Sequence, residues 1–233
     1  MQSISKSFQA LIRDEDFRNI YIRSFLDRFV YSSTDLEKDL TGESRKEAIE
    51  NLLDAFNLVM ELGNRKVSPF DLVDIGDAVN KSGGISGFRK INVSAGHLAE
   101  WTPVAPSKIL YNLYSLLDNY YNVWCDLDVY EKEARLHINL MRIHPFEDGN
   151  KRSTKIILNG NLFKQGYPPV VITEGETNLY YKYINEENYA GFATFLKMKS
   201  LEELNTMASY YKIMKDIPIS ESIIDSIEQG GRK

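Results

Sequence analysis

The sequence predicts an all-α domain with one small β-hairpin, and three observations carry that expectation. Apolar residues recur at helical spacing along most of the chain. Helix-start and helix-stop residues punctuate those stretches, from Ser68-Pro69 to Gly166. Only residues 85–106 read differently: Phe88 to Ser94 roughly alternate apolar and polar, and Gly96, Pro103 and Pro106 follow.

Residues 7–30 are rich in Phe, Ile, Leu and Tyr and predict one or two helices. Between Glu43 and Leu62, the stripe Ile49, Leu52, Leu53, Phe56 and Val59 predicts another, stopped by Gly63-Asn64. Ser68 as N-cap, Pro69 at the first helical position and Asp71 in the first turn open the next, which ends before Gly83-Gly84. After the expected hairpin, Ser107 caps a helix striped by Ile109, Leu110, Leu113, Leu116 and Leu117. Asp128 and Glu131 make a capping-box-like start to a helix running to about Ile143. A loop, His144 to Gly149, leads to a helix from near Asn150 to Gly166. Tyr167-Pro168-Pro169 is a turn, and Val170 to Thr173 a short strand. Two or three further helices precede a frayed Gly/Arg/Lys tail. The aromatic run Tyr111, Tyr114, Tyr120, Tyr121 and Trp124 is expected to pack in the core.

The 233 residues are 43% hydrophobic and 26% charged, a globular balance. The net charge of −5 and pI near 5.4 argue against a nucleic-acid binder, whose footprint is basic. Cys125 is the single cysteine, so no intramolecular disulfide forms; beside Trp124 it reads as buried packing. With no signal peptide visible, the expected location is the reducing cytoplasm, and no apolar run reaches the length of a membrane span.

The chemistry concentrates in His144-Pro145-Phe146-Glu147-Asp148-Gly149-Asn150-Lys151-Arg152. This is a helix–loop–helix whose loop leads into a helix N-terminus, where backbone N–H groups and the macrodipole favour an anion. Gly149 permits the left-handed turn that curves successive N–H groups into a nest. Arg152 can reach phosphate oxygens with a planar fork, and Asp148 offers a hard oxygen suited to Mg²⁺ beside phosphates. His144 has the side chain best suited to general-base work near neutrality. Together they describe a site for phosphoryl or nucleotidyl transfer. The structural alternative makes His144 a helix end, Asp148 and Asn150 caps, and Arg152 a solvated charge. Co-occurrence decides between them: the pattern H-P-F-x-[DE]-G-N-x-R should arise by chance in roughly one chain of this length in a few million.

These residues resemble the signature of the Fic/Doc family, HPFx[DE]GN followed by Gly or Lys and then Arg. Ala134 and His137 sit as in the family's A-x-x-H helix, Gly166-Tyr167-Pro168-Pro169 follows at the usual distance, and Tyr180-Tyr181 falls where a Tyr-rich helix is common. Upstream, Gly87-Phe88-Arg89 and Val93 resemble the start of the family's flap. The resemblance covers about residues 68–200. It implies a Fic-type helical bundle with a β-hairpin flap, a helical extension over 1–67 and a helical tail over 201–233.

It also implies roles. His144 would deprotonate a Ser, Thr or Tyr hydroxyl of a target protein, and Phe146 would anchor the loop. Asp148 would hold Mg²⁺ (or Mn²⁺) on the phosphates of ATP. Gly149, Asn150 and Lys151 would form the anion hole, and Arg152 would pair with phosphate. The flap near residues 88–96 would hold the target by main-chain pairing. The implied activity is AMP transfer, with an antitoxin or regulator protein as a further partner. Two positions depart from the commonest pattern. Lys151 is shared with Doc-type kinases, and Lys155 replaces a second Arg, keeping charge but losing the fork that positions a γ-phosphate. Phosphoryl transfer on the same fold, and a weakly active nucleotide-binding module, are the alternatives. Ser33-Thr34-Asp35-Leu36-Glu37-Lys38 fits the family's inhibitory [ST]xxxE pattern except at Lys38, which makes Glu37 an inhibitory candidate; Glu228 fits worse. His137 is expected to be packed and hydrogen-bonded, and His97 a surface residue.

Overall fold

The computed structural model describes residues 2–33 and 45–215, and most of these are helical, the longest irregular stretch being residues 84–105. The elements are α1 (Gln2–Ile12), α2 (Glu15–Ser33), α3 (Arg45–Glu61), α4 (Pro69–Val79), α5 (Ile109–Asp118), α6 (Val129–Ile143), α7 (Asn150–Lys164), α8 (Thr177–Asn185) and α9 (Tyr189–Lys215). α6 and α7 form the central hairpin because both are apolar on two faces. Leu136, Leu140 and Ile143 of α6, with Ile156, Ile157 and Phe163 of α7, join the larger core built from α1–α5 and the end of α9. Ala134, Ile138 and Met141 of α6, with Leu158 and Leu162 of α7, join a second core with Tyr180, Ile184 and Phe192. Burying a helix on two sides leaves its ends as the accessible parts. The 144–149 turn is therefore where this hairpin can meet a ligand.

The N-terminal helices are part of that core. Phe8 meets Phe163 edge-on at 5.2 Å and Phe56 meets the same ring at 5.8 Å. Tyr21 donates to Glu203 at 2.5 Å, and Arg28 clasps the same carboxylate, so α2 is tied to α9 by a partly buried charge pair. α9 itself continues through residue 200 without a break.

Local signals set most helix starts. Ser68 and Asp71 form the reciprocal capping box on α4, and Gly63 turns left-handed behind α3. Asp128 caps α6 by accepting from Tyr130 N–H at 3.0 Å, while Glu131 pairs forward with Arg135. Before α5, a 3₁₀ turn over Pro106–Lys108 replaces a cap at Ser107.

Four further expectations are corrected. Among the described residues no strand forms, so the flap region is not a hairpin. The carbonyls of Ile91 and Val104, which a ladder would need, accept instead from the Arg89 side chain. Val170 to Thr173 is not a strand either. The Asn159 amide satisfies both backbone groups of Val170, at 2.7 and 3.1 Å, in place of a neighbouring strand. Cys125 is exposed, because the chain leaves α5 through one π turn (Asn119–Val123) and turns outward. Tyr111 and Tyr114 are also exposed, at 76% and 52%, while Leu113 and Leu117 of the same helix are buried.

Candidate active site

α6 ends at His144, whose N–H donates to Leu140 O at 3.0 Å and whose backbone is left-handed at φ +53°. For a residue with a Cβ that turn costs on the order of 1–2 kcal/mol, so neighbouring contacts must hold it. Arg89 does so from the outside, donating from Nε to His144 O at 2.7 Å. Phe146 plugs the turn into the core. Its ring lies on Gly76 of α4, where a Cβ would stand 2.5 Å from Cζ, and Phe88 stacks 6.3 Å away. Asn150 closes the loop: its Oδ1 accepts from Phe146 N–H at 2.9 Å and its Nδ2 donates to Phe146 O at 2.8 Å. Its side chain is thus a clamp on the loop rather than a group facing a ligand.

Gly149, at φ +73°, is the N-cap of α7. Ser153 N–H bonds back to Gly149 O at 2.8 Å, so the N–H groups of residues 150–152 lie ahead of the intrahelical ladder at its dipole-positive end. Asp148 accepts from Gly149 N–H at 2.6 Å and lies 3.6 Å from Arg152 Nη2. Its side chain stays 56% exposed, open to a further ligand.

His144, Asp148, Gly149, Asn150, Lys151, Arg152 and Lys155 all line one cavity of about 620 Å³. The rim is completed by residues 94–98, including the exposed His97, and by α8 through Thr177, Asn178, Tyr180 and Tyr181. Glu37 and Glu228 lie outside the described residues.

Two ring nitrogens of His144 have different fates. Nδ1 approaches Met141 O at 3.3 Å, and a carbonyl can only accept, so Nδ1 carries the proton and Nε2 the lone pair. Burial pushes the pKa of His144 down to about 4, with the Arg89 charge adding to it and the Met141 bond and Asp148 opposing. Lys155 is only 5% exposed. Burial, reinforced by Lys151 and opposed by Glu176, lowers it to about 7, and its Nζ sits 5.3 Å from the Tyr180 ring centroid. Among the described residues no carboxylate bonds it. A desolvated cation of this kind favours an anionic ligand. His137 is packed and hydrogen-bonded as expected, with Nε2 2.8 Å from Tyr180 Oη.

Among the described residues no group of three or more His, Cys, Asp or Glu could hold a metal ion by itself. The residues present nevertheless fit Mg²⁺ shared with phosphates, which takes one or two carboxylates plus substrate oxygens; Asp148 is positioned to be that carboxylate. No described helix is long and apolar enough to cross a membrane.

Asn80, Gly76 and Met141 were not legible as site residues in the sequence. The only local hint is for Asn80, a helix-ending residue type just ahead of Gly83-Gly84.

A helical hairpin whose turn sets a histidine beside a helix N-terminus, a half-exposed carboxylate and a buried lysine around one cavity is the arrangement this chain presents. Residues 66–162 match the Fic/DOC family. The protein adenylyltransferase fic-1 of Caenorhabditis briggsae is 27% identical over 132 residues, 54% of this chain and 25% of that protein. The protein adenylyltransferase Fic of Nematostella vectensis is 34% identical over 80 residues, 34% of this chain and 19% of its length. The matched stretch therefore spans about a quarter or less of these curated relatives. A Fic domain containing signaling protein from Bacteroides thetaiotaomicron superimposes with a TM-score of 0.74 at 19% identity, over 94% of this chain and 98% of that one. IbpAFic2, solved in complex with adenylylated Cdc42, has a TM-score of 0.55 at 15% identity, over 81% and 69% of the two chains. At those identities the structural likeness establishes the fold.

Proposed function

We propose that this chain is a protein adenylyltransferase, moving AMP from Mg·ATP to a Ser, Thr or Tyr hydroxyl of a target protein. The observation that carries this reading is the shared cavity: the free Nε2 of His144 and the N-terminus of α7, with Asp148, Arg152 and Lys155, line one space. The adenylyltransferase names of the relatives, and the adenylylated target bound to IbpAFic2, support AMP as the group moved and a protein as its acceptor.

In this reading His144 Nε2 takes the hydroxyl proton as the hydroxyl oxygen bonds to the α-phosphorus. The bond from that phosphorus to the bridging oxygen breaks, and pyrophosphate leaves with its electron pair. The proton passes from His144 to solvent. The backbone N–H groups of residues 150–152, at the start of α7, and the Arg152 guanidinium stabilise charge that grows on the phosphates. Lys155 meets the terminal phosphates as a single-point cation. Asp148 would hold Mg²⁺, which supplies charge neutralisation on the phosphate oxygens when bound. Residues 94–98 on the rim, continuous with the segment near 88–96, would receive the target chain by main-chain hydrogen bonds. Holding hydroxyl, base and phosphorus in line is most of the task.

The test is transfer of label from ATP traced at the α or the γ phosphate onto candidate proteins and onto the chain itself. Label from the α position alone, lost in His144→Ala, supports AMP transfer. Label from the γ position alone makes the domain a kinase and overturns the proposal.

A further inference from the structure

Arg89 is 3% exposed, and among the described residues every recorded hydrogen-bond acceptor of its side chain is a backbone carbonyl. Nε donates to His144 O at 2.7 Å, Nη1 to Ile91 O at 2.9 Å, and Nη2 to Val104 O and, at 3.4 Å, to Ile143 O. Its own backbone N–H donates to Pro145 O at 2.9 Å. One residue therefore satisfies three consecutive carbonyls, 143 to 145, around the left-handed turn at His144, and also two carbonyls of the segment that forms the cavity rim. A buried cation usually needs a carboxylate. Here the carbonyls at the C-terminus of α6 supply the negative end of a helix dipole instead.

We propose that Arg89 is a positioning residue for transfer: its fork locks the His144 turn and the 91–104 segment into one rigid frame. Base and rim are then set relative to each other by a single side chain. The planar spread of donors is what the task requires. A lysine keeps the charge but has one tetrahedral head, which cannot span carbonyls on two segments. Without the fork the left-handed turn has lost its main external restraint. The ring would leave Met141 O, and Nε2 would lose its aim. The activity arm of the test rests on the proposed AMP transfer; the titration arm does not.

The experiment uses ¹³C-histidine-labelled protein, whose three histidines give three Cε1 signals, assigned with His144→Gln. The charged groups acting on His144 are Arg89 and Asp148. In the parent, His144 stays neutral well below the usual histidine value of about 6.5. In Arg89→Lys, with the His137 signal unmoved as the sign of an intact core, His144 should titrate at higher pH, because the released ring regains water and burial is the largest cause of its lowered value, outweighing the lost Met141 bond. Transfer should fall on the order of 10²-fold, the cost of a misplacement near 1 Å, with the KM for ATP unchanged. In Arg89→Ala, added methylguanidinium should restore transfer and methylammonium should not. If Arg89→Lys disturbs the His137 signal, the same titration is read on Arg89→Ala with methylguanidinium or methylammonium added, two cations of equal charge, of which only the first should return His144 to its parental titration. An unchanged His144 titration in the substituted protein overturns the proposal, whether or not transfer falls. A parent that transfers no label defeats the proposed activity instead and leaves the titration to decide on Arg89.

Discussion

Asn80, the residue that closes α4, lies directly beneath Gly149: a Cβ at position 149 would stand 2.9 Å from the Asn80 Cγ. The same amide donates from Nδ2 to Asp148 O at 2.9 Å and accepts from Arg152 Nη2 at 3.3 Å. One side chain thus touches the three residues on which phosphate and metal binding would depend.

That contact makes Gly149→Ala doubly unfavourable. The left-handed backbone costs on the order of 1–2 kcal/mol with a Cβ present, and the methyl would overlap the Asn80 amide. Thermal melting should show the stability loss, and transfer should fall about 10²-fold through misalignment. Combining Gly149→Ala with Asn80→Ala removes the overlap but not the backbone strain. The double variant should therefore be less impaired than the two single losses added. Strict additivity would mean that the two residues do not press on each other.

His144→Ala should lower transfer by ~10²–10⁴-fold while ATP still binds. The pH profile is the sharper measurement. His144 is pushed down to about 4, and only its neutral form accepts a proton. As pH falls from 8 through about 6.5, where an ordinary histidine would be lost, the rate should hold, then drop as the pKa of His144 is approached. An acid limb centred near the ordinary value would show that the site is wetter than its burial implies.

Lys155 predicts a pH dependence of nucleotide binding with the opposite direction. Its amine is held down to about 7 by burial, and only the protonated form attracts phosphate. Raising pH through that value should weaken ATP binding. Binding near pH 8 should take up a proton, because an adjacent phosphate raises the amine's pKa. Calorimetry in buffers of different ionisation enthalpy reads the uptake directly. Lys155→Arg stays charged over this range, so its affinity should be flat with pH and proton uptake should vanish.

Asp148→Asn should raise the Mg²⁺ concentration required for transfer and lower the maximal rate, since a neutral amide is a poorer ligand for a hard cation. A transfer assay over a Mg²⁺ titration, with chelator as the zero point, measures both. Full parental activity in excess chelator would show that Asp148 holds no metal needed for the reaction.

The sequence by itself determined the helices and the order of the site. Ser68 with Asp71, and Gly63, specify chain direction through bonds to neighbours a few residues away, so they read the same in isolation and in the fold. The stretch from His144 to Arg152 was legible for the same reason. Its residues are consecutive, so one turn between two helices brings them together.

Tertiary structure decided what depends on partners distant in the chain. Asn80 reaches Gly149 and Phe146 meets Gly76 only because α4 packs beside the central hairpin. Local alternation over residues 88–94 suggested a strand, but Arg89 drew the carbonyls of Ile91 and Val104 inward and left no ladder to form. Cys125 and Tyr111 are apolar enough for a core, yet the fold leaves both exposed. The depressed pKa values of His144 and Lys155 belong to the same class. Residue type sets the starting value, but desolvation by surrounding helices sets the shift, and no spacing along the chain encodes how much water a fold will exclude.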